Sequence, residues 1–382
     1  MMSKKSTKEK NYVFPPVSLL DYSEIDMNQH VEEDDEKAAR FESVLAQYGT
    51  SVKVLKVDSG LRVTRYEFMP TNGTRIEDIV SLLEDIKLNY CGRNVRIEKQ
   101  VPGKAAMAIE ICDGNYNAFR LRNVIEDEEY KSDESNTKFA VGIGLDKKIV
   151  YSDLKDLGSM LVMGETGTGK STFMQAFIMN LLYKANPDEL KIAIIDTKIV
   201  EYYGFIGLPH LLQRPVNSID KAFLLLESIV TELQDRPSIF SDHGVIGIEH
   251  FNSLAKSKNM SGLPKIVLVI DEFADLMLTD PKQFENNIVK LLQTGRECGI
   301  YVVLSTQINI PRFNSRTVIA NIKGVVRFSV DENDTSSGEG LMGLGDLLYS
   351  SDSWRCFQRL QGMYVSNEEQ IRVVEYITSH NV

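Results

Sequence analysis

Residues 160–171 read Met-Leu-Val-Met-Gly-Glu-Thr-Gly-Thr-Gly-Lys-Ser, and this stretch decides the fold. Its last eight residues match the pattern Gly-x-x-x-x-Gly-Lys-Ser/Thr in full, directly after the apolar run Met160–Met163. Glycines at these positions permit a tight turn, so backbone N–H groups approach phosphate oxygens at the start of the following helix. The stretch therefore predicts a strand, a phosphate loop and a helix. We expect ATP to bind through the following residues: Gly164, Glu165, Thr166, Gly167, Thr168, Gly169, Lys170, Ser171 and Thr172.

A second apolar run, Lys265–Ile270, ends in Asp271 and Glu272. Ligands of α/β proteins bind at the carboxyl ends of parallel strands, so we expect this pair beside the phosphate loop. There, Asp271 and Ser171 would hold Mg²⁺, and Glu272 would act as general base on the attacking water. Lys170 would bridge the β- and γ-phosphates. The alternative is that the acidic pair only caps the next helix.

Two further polar positions are catalytic candidates. Gln307 follows the apolar run Tyr301–Leu304 through Ser305 and Thr306, where it would sense the γ-phosphate or orient water. It would otherwise be a strand-end cap. Arg296 lies at the end of a predicted helix, where an arginine usually interacts with the helix dipole. The sharper hypothesis is an arginine finger that reaches a neighbouring subunit's nucleotide.

The chain divides into four segments that differ in composition and in hydrophobic periodicity. Residues 1–35 are polar and predict a flexible tail, whereas residues 36–125 alternate helical and strand periodicity and predict a small α+β domain. Residues 126–136 form an acidic linker. Over residues 137–382, short continuous apolar runs alternate with helical patterns, which is typical of buried parallel strands. We predict a RecA-like P-loop NTPase fold of the α/β class there, with a largely parallel central sheet.

Composition excludes several other classes. The 382 residues include 54 acidic and 43 basic side chains, giving a net charge of −11, which argues against a surface wholly coated in nucleic acid. No apolar run approaches the length that crosses a bilayer, and the basic N-terminus lacks the apolar core of a secretory signal. The four cysteines form no CxxC pair, which indicates reduced thiols and a cytoplasmic protein.

The stretch from Cys298 to Val330 contains no Asp or Glu, although the chain as a whole is acidic. It carries Arg312, Arg316 and Lys323, which we predict to contact the DNA backbone without reading bases. A solvated basic surface is the alternative.

With these residues in place, the chain resembles the DNA translocases of the FtsK/SpoIIIE type. The resemblance runs from about Tyr12 to Ile377, and in the first part it rests on Val63–Glu67, Val95–Glu98 and Pro102–Ala105. In the second part it rests on the phosphate loop and on these segments: Ile195–Glu201, Pro209–Leu212, Asp271–Leu276, Gly295–Ile300 and Leu344–Tyr349.

The resemblance implies an α domain followed by a RecA-like motor, which assembles as a homo-oligomeric ring, usually a hexamer, around double-stranded DNA. ATP would lie between subunits, so Arg296 matches a finger that acts in trans. Family members usually have membrane spans and often a winged-helix domain, and we expect neither here. Ile308-Asn309 stands where the family usually has Arg-Pro, so either the channel contacts would move to Arg312, Arg316 and Lys323, or the grip on DNA would be altered.

The leading hypothesis is an ATP-driven DNA translocase that moves chromosomal or mobile-element DNA. A conjugation-type transfer ATPase of the same superfamily shares its motor and stays an alternative. So does an ATP-gated DNA-binding scaffold without translocation.

Overall fold

The structure is a computed structural model. It describes residues 12–24, 31–91, 95–101, 103–112, 118–197, 201–279, 281–307, 316–329, 341, 343–351 and 357–381, and every structural statement concerns these ranges.

A small unit, residues 31–112, contains a four-stranded antiparallel sheet with strand order β1-β2-β4-β3. Its strands are β1 (Val52–Ser59), β2 (Val63–Pro70), β3 (Val95–Glu98) and β4 (Met107–Cys112). Its helices are α1 (Val31–Gln47), α2 (Ile76–Ser81) and α3 (Leu83–Asn89). Strands β1 and β2 form a hairpin, because they pair across a turn at residues 60–62. Phe41 of α1 stacks on Tyr66 of β2, which anchors the helix to the apolar face of the sheet.

A large unit, residues 118–381, is built on a nine-stranded sheet. Its strands are β5 (Lys138–Gly144), β6 (Ile149–Asp153), β7 (Ser159–Met163), β8 (Leu190–Asp196), β9 (Lys265–Asp271), β10 (Ile300–Thr306), β11 (Gly324–Arg327), β12 (Asp346–Ser350) and β13 (Gln358–Gly362). The order is β6-β5-β13-β12-β11-β7-β10-β9-β8. Strands β11, β7, β10, β9 and β8 are parallel, as the uninterrupted apolar runs predict, and the other four extend the sheet in antiparallel pairing.

Helices and short 3₁₀ turns connect and cover these strands. They are α4 (Leu121–Ile125), α5 (Glu128–Ser132), α6 (Leu154–Leu157), α7 (Lys170–Leu182), α8 (Ile219–Asp242), α9 (Gly247–Ser257), α10 (Phe273–Thr279), α11 (Pro281–Thr294), α12 (Arg316–Asn321) and α13 (Asn367–His380), with 3₁₀ turns at Val17–Leu19 and Tyr203–Phe205. One apolar cluster lies on each face of the sheet, and α7 belongs to one while α8 and α11 belong to the other. The sheet is therefore buried on both sides, as a parallel α/β sheet requires. In the described ranges, no helix combines the length and the apolar character of a bilayer crossing.

Packing places two segment boundaries differently from the sequence prediction. Residues 12–24, predicted as part of a flexible tail, lie against α13: Leu20 is buried, and Arg372 donates to Asp21 at 2.7 Å. Helix α1 begins at Val31, inside the predicted tail. Residues 119–125, predicted to close the small domain, pack in the core of the large unit. Both segments carry several apolar side chains, among them Leu20, Phe119 and Val124, whose burial docks them on the large unit.

Candidate nucleotide site

The phosphate loop connects β7 to α7 at the carboxyl edge of the parallel strands. Gly167 and Gly169 have φ values of +83° and +115°, which L side chains rarely adopt. A Cβ added at Gly169 would lie 2.6 Å from the Gly345 nitrogen, and one at Gly164 would lie 2.5 Å from the Phe328 Cβ. The glycines are therefore required by backbone conformation and by close approach of two other segments.

Lys170 is the first residue of α7, and its side chain is buried among the strand ends. Its Nζ donates to Glu272 Oε1 at 2.8 Å and lies 3.4 Å from Ser305 Oγ. The same Nζ lies 3.8 Å from Asp271 Oδ1. The structure thus brings together the phosphate loop, the acidic pair after β9 and the end of β10, as the sequence predicts.

Asp271 and Glu272 occupy different environments although they are adjacent. Burial raises the pKa of Asp271 above its usual value, and the charges of Glu272 and Asp196 add to that effect against Ser305 and Lys170. The Ser305 hydroxyl donates to the Asp271 carboxylate. Glu272 has a left-handed φ of +49°, which turns its carboxylate toward Lys170 and is strained for a side chain of this type. Such strain is typical of functional sites, where the surrounding structure maintains it.

Gln307 lies at the end of β10 and connects Glu272 to the phosphate loop. Its amide nitrogen donates to Glu272 Oε1 at 2.5 Å, and Thr166 Oγ1 donates to its amide oxygen at 3.2 Å. The side chain therefore links Glu272, the predicted general base, to the phosphate loop. An isolated strand-end cap would not contact both elements.

Glu201 is a site residue that the sequence analysis did not select. It is half-buried and lines one cavity together with Ser171. Burial raises the pKa of Glu201, and the Ser171 side chain and the charge of Lys170 act against that effect. Its position five residues beyond the end of β8 was the available signal, because β8 also ends at this edge of the sheet. Ser305 was not predicted as a site residue either, although it stands two positions before the candidate Gln307.

A cavity of about 380 Å³ opens beside these groups. The phosphate loop and Gln307 contribute the polar part of its lining. The remaining lining is mainly apolar or backbone surface, from Phe173, Phe328, Leu344, Gly345, Gln361, Gly362, Met363 and Tyr364. A lining with a polar and an apolar part suits a nucleotide, whose phosphates and base differ in the same way.

Arg296 lies at the opposite edge of the sheet from the cavity. It follows α11 and precedes β10, whose seven residues span about 20 Å before they reach Gln307. Its Nε donates to the Lys155 carbonyl at 2.8 Å, and the side chain is exposed. Arg296 therefore does not reach the cavity of its own chain.

The basic residues of the acid-free stretch are separated by the structure. Lys323 lines the same surface cleft as Arg296, whereas Arg316 is the exposed first residue of α12. Arg312 lies outside the described residues. Contact of these three with DNA stays a prediction.

A glycine loop between a central strand and a helix, with carboxylates at the end of a second parallel strand of the same sheet, defines the class of P-loop ATPases. A sequence profile of the FtsK/SpoIIIE family matches residues 120–311, and one of the FtsK alpha domain matches residues 14–113. The chain belongs to the FtsK/SpoIIIE family.

Named relatives extend over nearly the whole chain. It is 36% identical over 383 residues to DNA translocase FtsK of Clostridium acetobutylicum, covering 97% of this chain and 50% of that one. It is 32% identical over 384 residues to DNA translocase SftA of Bacillus subtilis, covering 98% of this chain and 40% of that one. The chain therefore spans about half the length of the relatives it matches.

Solved structures share the fold at low identity. The pCW3 conjugation coupling protein TcpA, in its monomer form with ATPγS, has a TM-score of 0.60 and 18% identity, covering 90% of this chain and 99% of that one. The cytoplasmic domain of the type VII secretion ATPase EccC of Thermomonospora curvata has a TM-score of 0.57 and 16% identity, covering 68% and 34%. Both likenesses confirm the predicted P-loop α/β fold.

Proposed function

We propose that the chain is an ATP-hydrolysing motor that moves double-stranded DNA. The observation that carries the proposal is the convergence of Lys170, Asp271, Glu272 and Gln307 on one cavity, in a chain of the FtsK/SpoIIIE family. The relatives named DNA translocases support DNA as the substrate that is moved. The motor would act in the cytoplasm, where both ATP and DNA are available, on chromosomal or mobile-element DNA.

Hydrolysis would use the contacts that the cavity already contains. A γ-phosphate beside Lys170 offers that ammonium a stronger partner than Glu272, so the carboxylate becomes available to water. Glu272 then accepts the water's proton as the new P–O bond forms and the β–γ bridge bond breaks, leaving ADP and phosphate. Gln307 would orient the water, because its amide contacts both Glu272 and Thr166.

The site also fits Mg²⁺. In the described ranges no three His, Cys, Asp or Glu side chains are grouped as a metal site, and Mg²⁺ in such enzymes uses one or two carboxylates together with substrate phosphates. Ser171 and Asp271 would hold it here. The donor set fits a cation, since burial and the neighbouring carboxylates of Glu272 and Asp196 raise the pKa of Asp271. The ion would neutralise charge that develops on the phosphates.

We further propose that the active unit is a homo-oligomeric ring, with six subunits as the expected number. Arg296 supports it, because the side chain is exposed at the edge of the sheet remote from its own cavity. In a head-to-tail ring, that edge would face the neighbouring subunit's nucleotide. Basic residues on the inner wall, among them Arg312, Arg316 and Lys323, would contact the phosphate backbone.

The deciding measurement is the ATPase rate with and without linear duplex DNA. The wild type should be stimulated by DNA, and Glu272→Ala should be inactive in both conditions. A wild type with ATPase activity that does not respond to DNA would contradict the translocase and leave an ATP-gated scaffold.

A mixing experiment tests the finger. Lys170→Ala and Arg296→Ala proteins should each be inactive alone, and their mixture should recover part of the activity if Arg296 acts in trans. Full activity of Arg296→Ala alone would remove this role. His250→Ala is the matched control, because the exposed His250 lines the same cleft as Arg296.

A further inference from the structure

The segment Gly343–Asp346 lies directly on the phosphate loop. The Gly345 N–H donates to the Thr168 carbonyl at 3.0 Å, and the Gly362 N–H donates to the Gly345 carbonyl at 2.8 Å. Three consecutive residues have left-handed φ values: Gly343 (+67°), Leu344 (+51°) and Gly345 (+92°). This covering segment therefore has a defined conformation, and its backbone contributes to the shape of the nucleotide cavity.

The small unit contacts the covering segment through the tip of its first hairpin. Arg62 Nη1 donates to the Gly343 carbonyl at 2.8 Å and lies 3.4 Å from the Leu344 carbonyl. Leu61, beside it, packs on the apolar core of the large unit. The tip is fixed from the other side as well, because a Cβ at Gly60 would lie 2.9 Å from Leu145 Cδ2.

A second connection reaches the end of the same segment. Arg359 donates to Asp346 through Nε at 3.0 Å and through Nη2 at 2.6 Å. The remaining Nη1 of Arg359 donates to Glu110, which belongs to β4 of the small unit. All three side chains are buried. The small unit thus contacts one end of the covering segment through Arg62, and its other end through Glu110 and Arg359.

We propose that Arg62 is a positioning residue for the phosphate loop, so that docking of the small unit and nucleotide binding are coupled. The chain of contacts runs from the hairpin tip through Gly343–Gly345 to the Thr168 carbonyl. Displacement of the covering segment would move a backbone group of the loop that holds the phosphates. Coupling between two sites is reciprocal, so the nucleotide must strengthen docking as much as docking strengthens binding of the nucleotide. This inference rests on the proposed nucleotide site.

The first experiment measures the dissociation constant of a fluorescent ATP analogue, with Mg²⁺, on the full chain. Arg62→Ala should weaken binding about five- to tenfold, at the low end of coupling between sites. The ATPase KM should rise with little change in kcat, since the lost contact acts equally on the ground state and the transition state. Arg62→Lys should recover part of the affinity. Lys53→Ala is the control, because Lys53 is an exposed cation of the same hairpin paired only on the surface with Glu42.

The second experiment reads the reciprocal effect by amide hydrogen exchange in residues 60–68. A non-hydrolysable ATP analogue should slow exchange there in the wild type but not in Arg62→Ala, while protection of residues 164–175 persists in both. Equal affinity of Arg62→Ala and wild type would overturn this inference alone. Unchanged nucleotide-dependent protection of the hairpin in Arg62→Ala would do so too. Failure of the wild type to bind the analogue would instead overturn the proposed function and this inference together.

Discussion

Two buried ionic clusters differ in their balance of charge. The active-site cluster sets four carboxylates against one ammonium: Asp196, Glu201, Asp271 and Glu272 against Lys170. The interface cluster, between the small and large units, connects Glu110 and Asp346 with the guanidinium groups of Arg65, Arg96 and Arg359. Arg65 also pairs with Glu67 and Glu98. Among the described contacts, the carboxylates of the first cluster outnumber its cations, whereas Glu110 of the second contacts three guanidinium groups.

The pKa shifts of the two clusters have opposite signs. Burial and neighbouring carboxylates raise the pKa of Asp271. Burial also acts to raise the pKa of Glu110, but Arg359, Arg96 and Arg65 outweigh it and lower that pKa to about 2. A carboxylate held in its charged form by protein groups stabilises the fold, whereas one left undercompensated is suited to a ligand cation. The difference separates a structural cluster from a functional one.

The largest expected effect comes from the base of the active-site cluster. Glu272→Gln removes the proton acceptor but keeps the shape and the contact with Gln307, so single-turnover hydrolysis should fall by about 10²–10⁴-fold. Binding of a fluorescent ATP analogue should persist, and Glu227→Gln on the exposed face of α8 should leave both unchanged. Hydrolysis within a few fold of the wild type would remove Glu272 as the base.

The next largest effect breaks the interface cluster. Asp346→Asn removes the charge that Arg359 contacts through two donors, so a buried guanidinium loses half of its compensation. The free energy of unfolding should fall by about 3–5 kcal/mol, the usual cost of breaking a buried ion pair. Denaturant titration of the nucleotide-free protein measures it. A loss below about 1 kcal/mol would mean that this cluster contributes no more to stability than an exposed surface ion pair.

The same substitution in the active-site cluster should have the opposite sign. Asp271→Asn removes a charge that its carboxylate neighbours oppose, so the nucleotide-free protein should gain on the order of 1 kcal/mol. In the wild type, Mg²⁺ should raise the melting temperature of the nucleotide-bound protein, and in Asp271→Asn this increase should disappear. A destabilised Asp271→Asn protein would mean that Lys170 and Ser305 already compensate this carboxylate.

The sequence predicted one of these clusters far better than the other. The phosphate loop, Asp271 and Gln307 each follow an apolar strand, and parallel strands bring their carboxyl ends to one edge whatever the loops between them do. Glu201 was missed because it stands five residues beyond its strand, where periodicity no longer indicates position.

The interface cluster and the covering segment could not be read from local pattern. Arg62 and Gly343 are 281 positions apart, and Glu110 and Arg359 are 249 apart. Their contact depends on how two sheets dock. Strands β12 and β13 were also not predicted, because they are short and carry buried polar residues such as Asp346 and Arg359. The resemblance to a family supplied the Gly-Asp segment, but not what it contacts.

The smallest expected effect concerns His210, a buried residue that belongs to neither cluster. Its titration makes stability depend on pH, so the stabilities of the cluster variants should be compared above about pH 6.5. Burial lowers its pKa to about 4, against a hydrogen bond to the Ala185 carbonyl at 3.0 Å.

As the pH falls, the histidine of the unfolded chain takes up a proton at about pH 6.5, before that of the folded protein does. The contribution of the neutral His210 to the free energy of unfolding is therefore fully present above about pH 6.5 and is lost as the pH falls toward 4. Between pH 7 and 5.5 the loss should be about 1 kcal/mol. His210→Gln should remove most of this slope in denaturant titrations. Glu110→Gln should leave the slope in this range unchanged, because the pKa of Glu110, about 2 in the folded protein, and the ordinary pKa of a glutamate both lie below it. An equal slope in wild type and His210→Gln would assign the pH dependence to other groups.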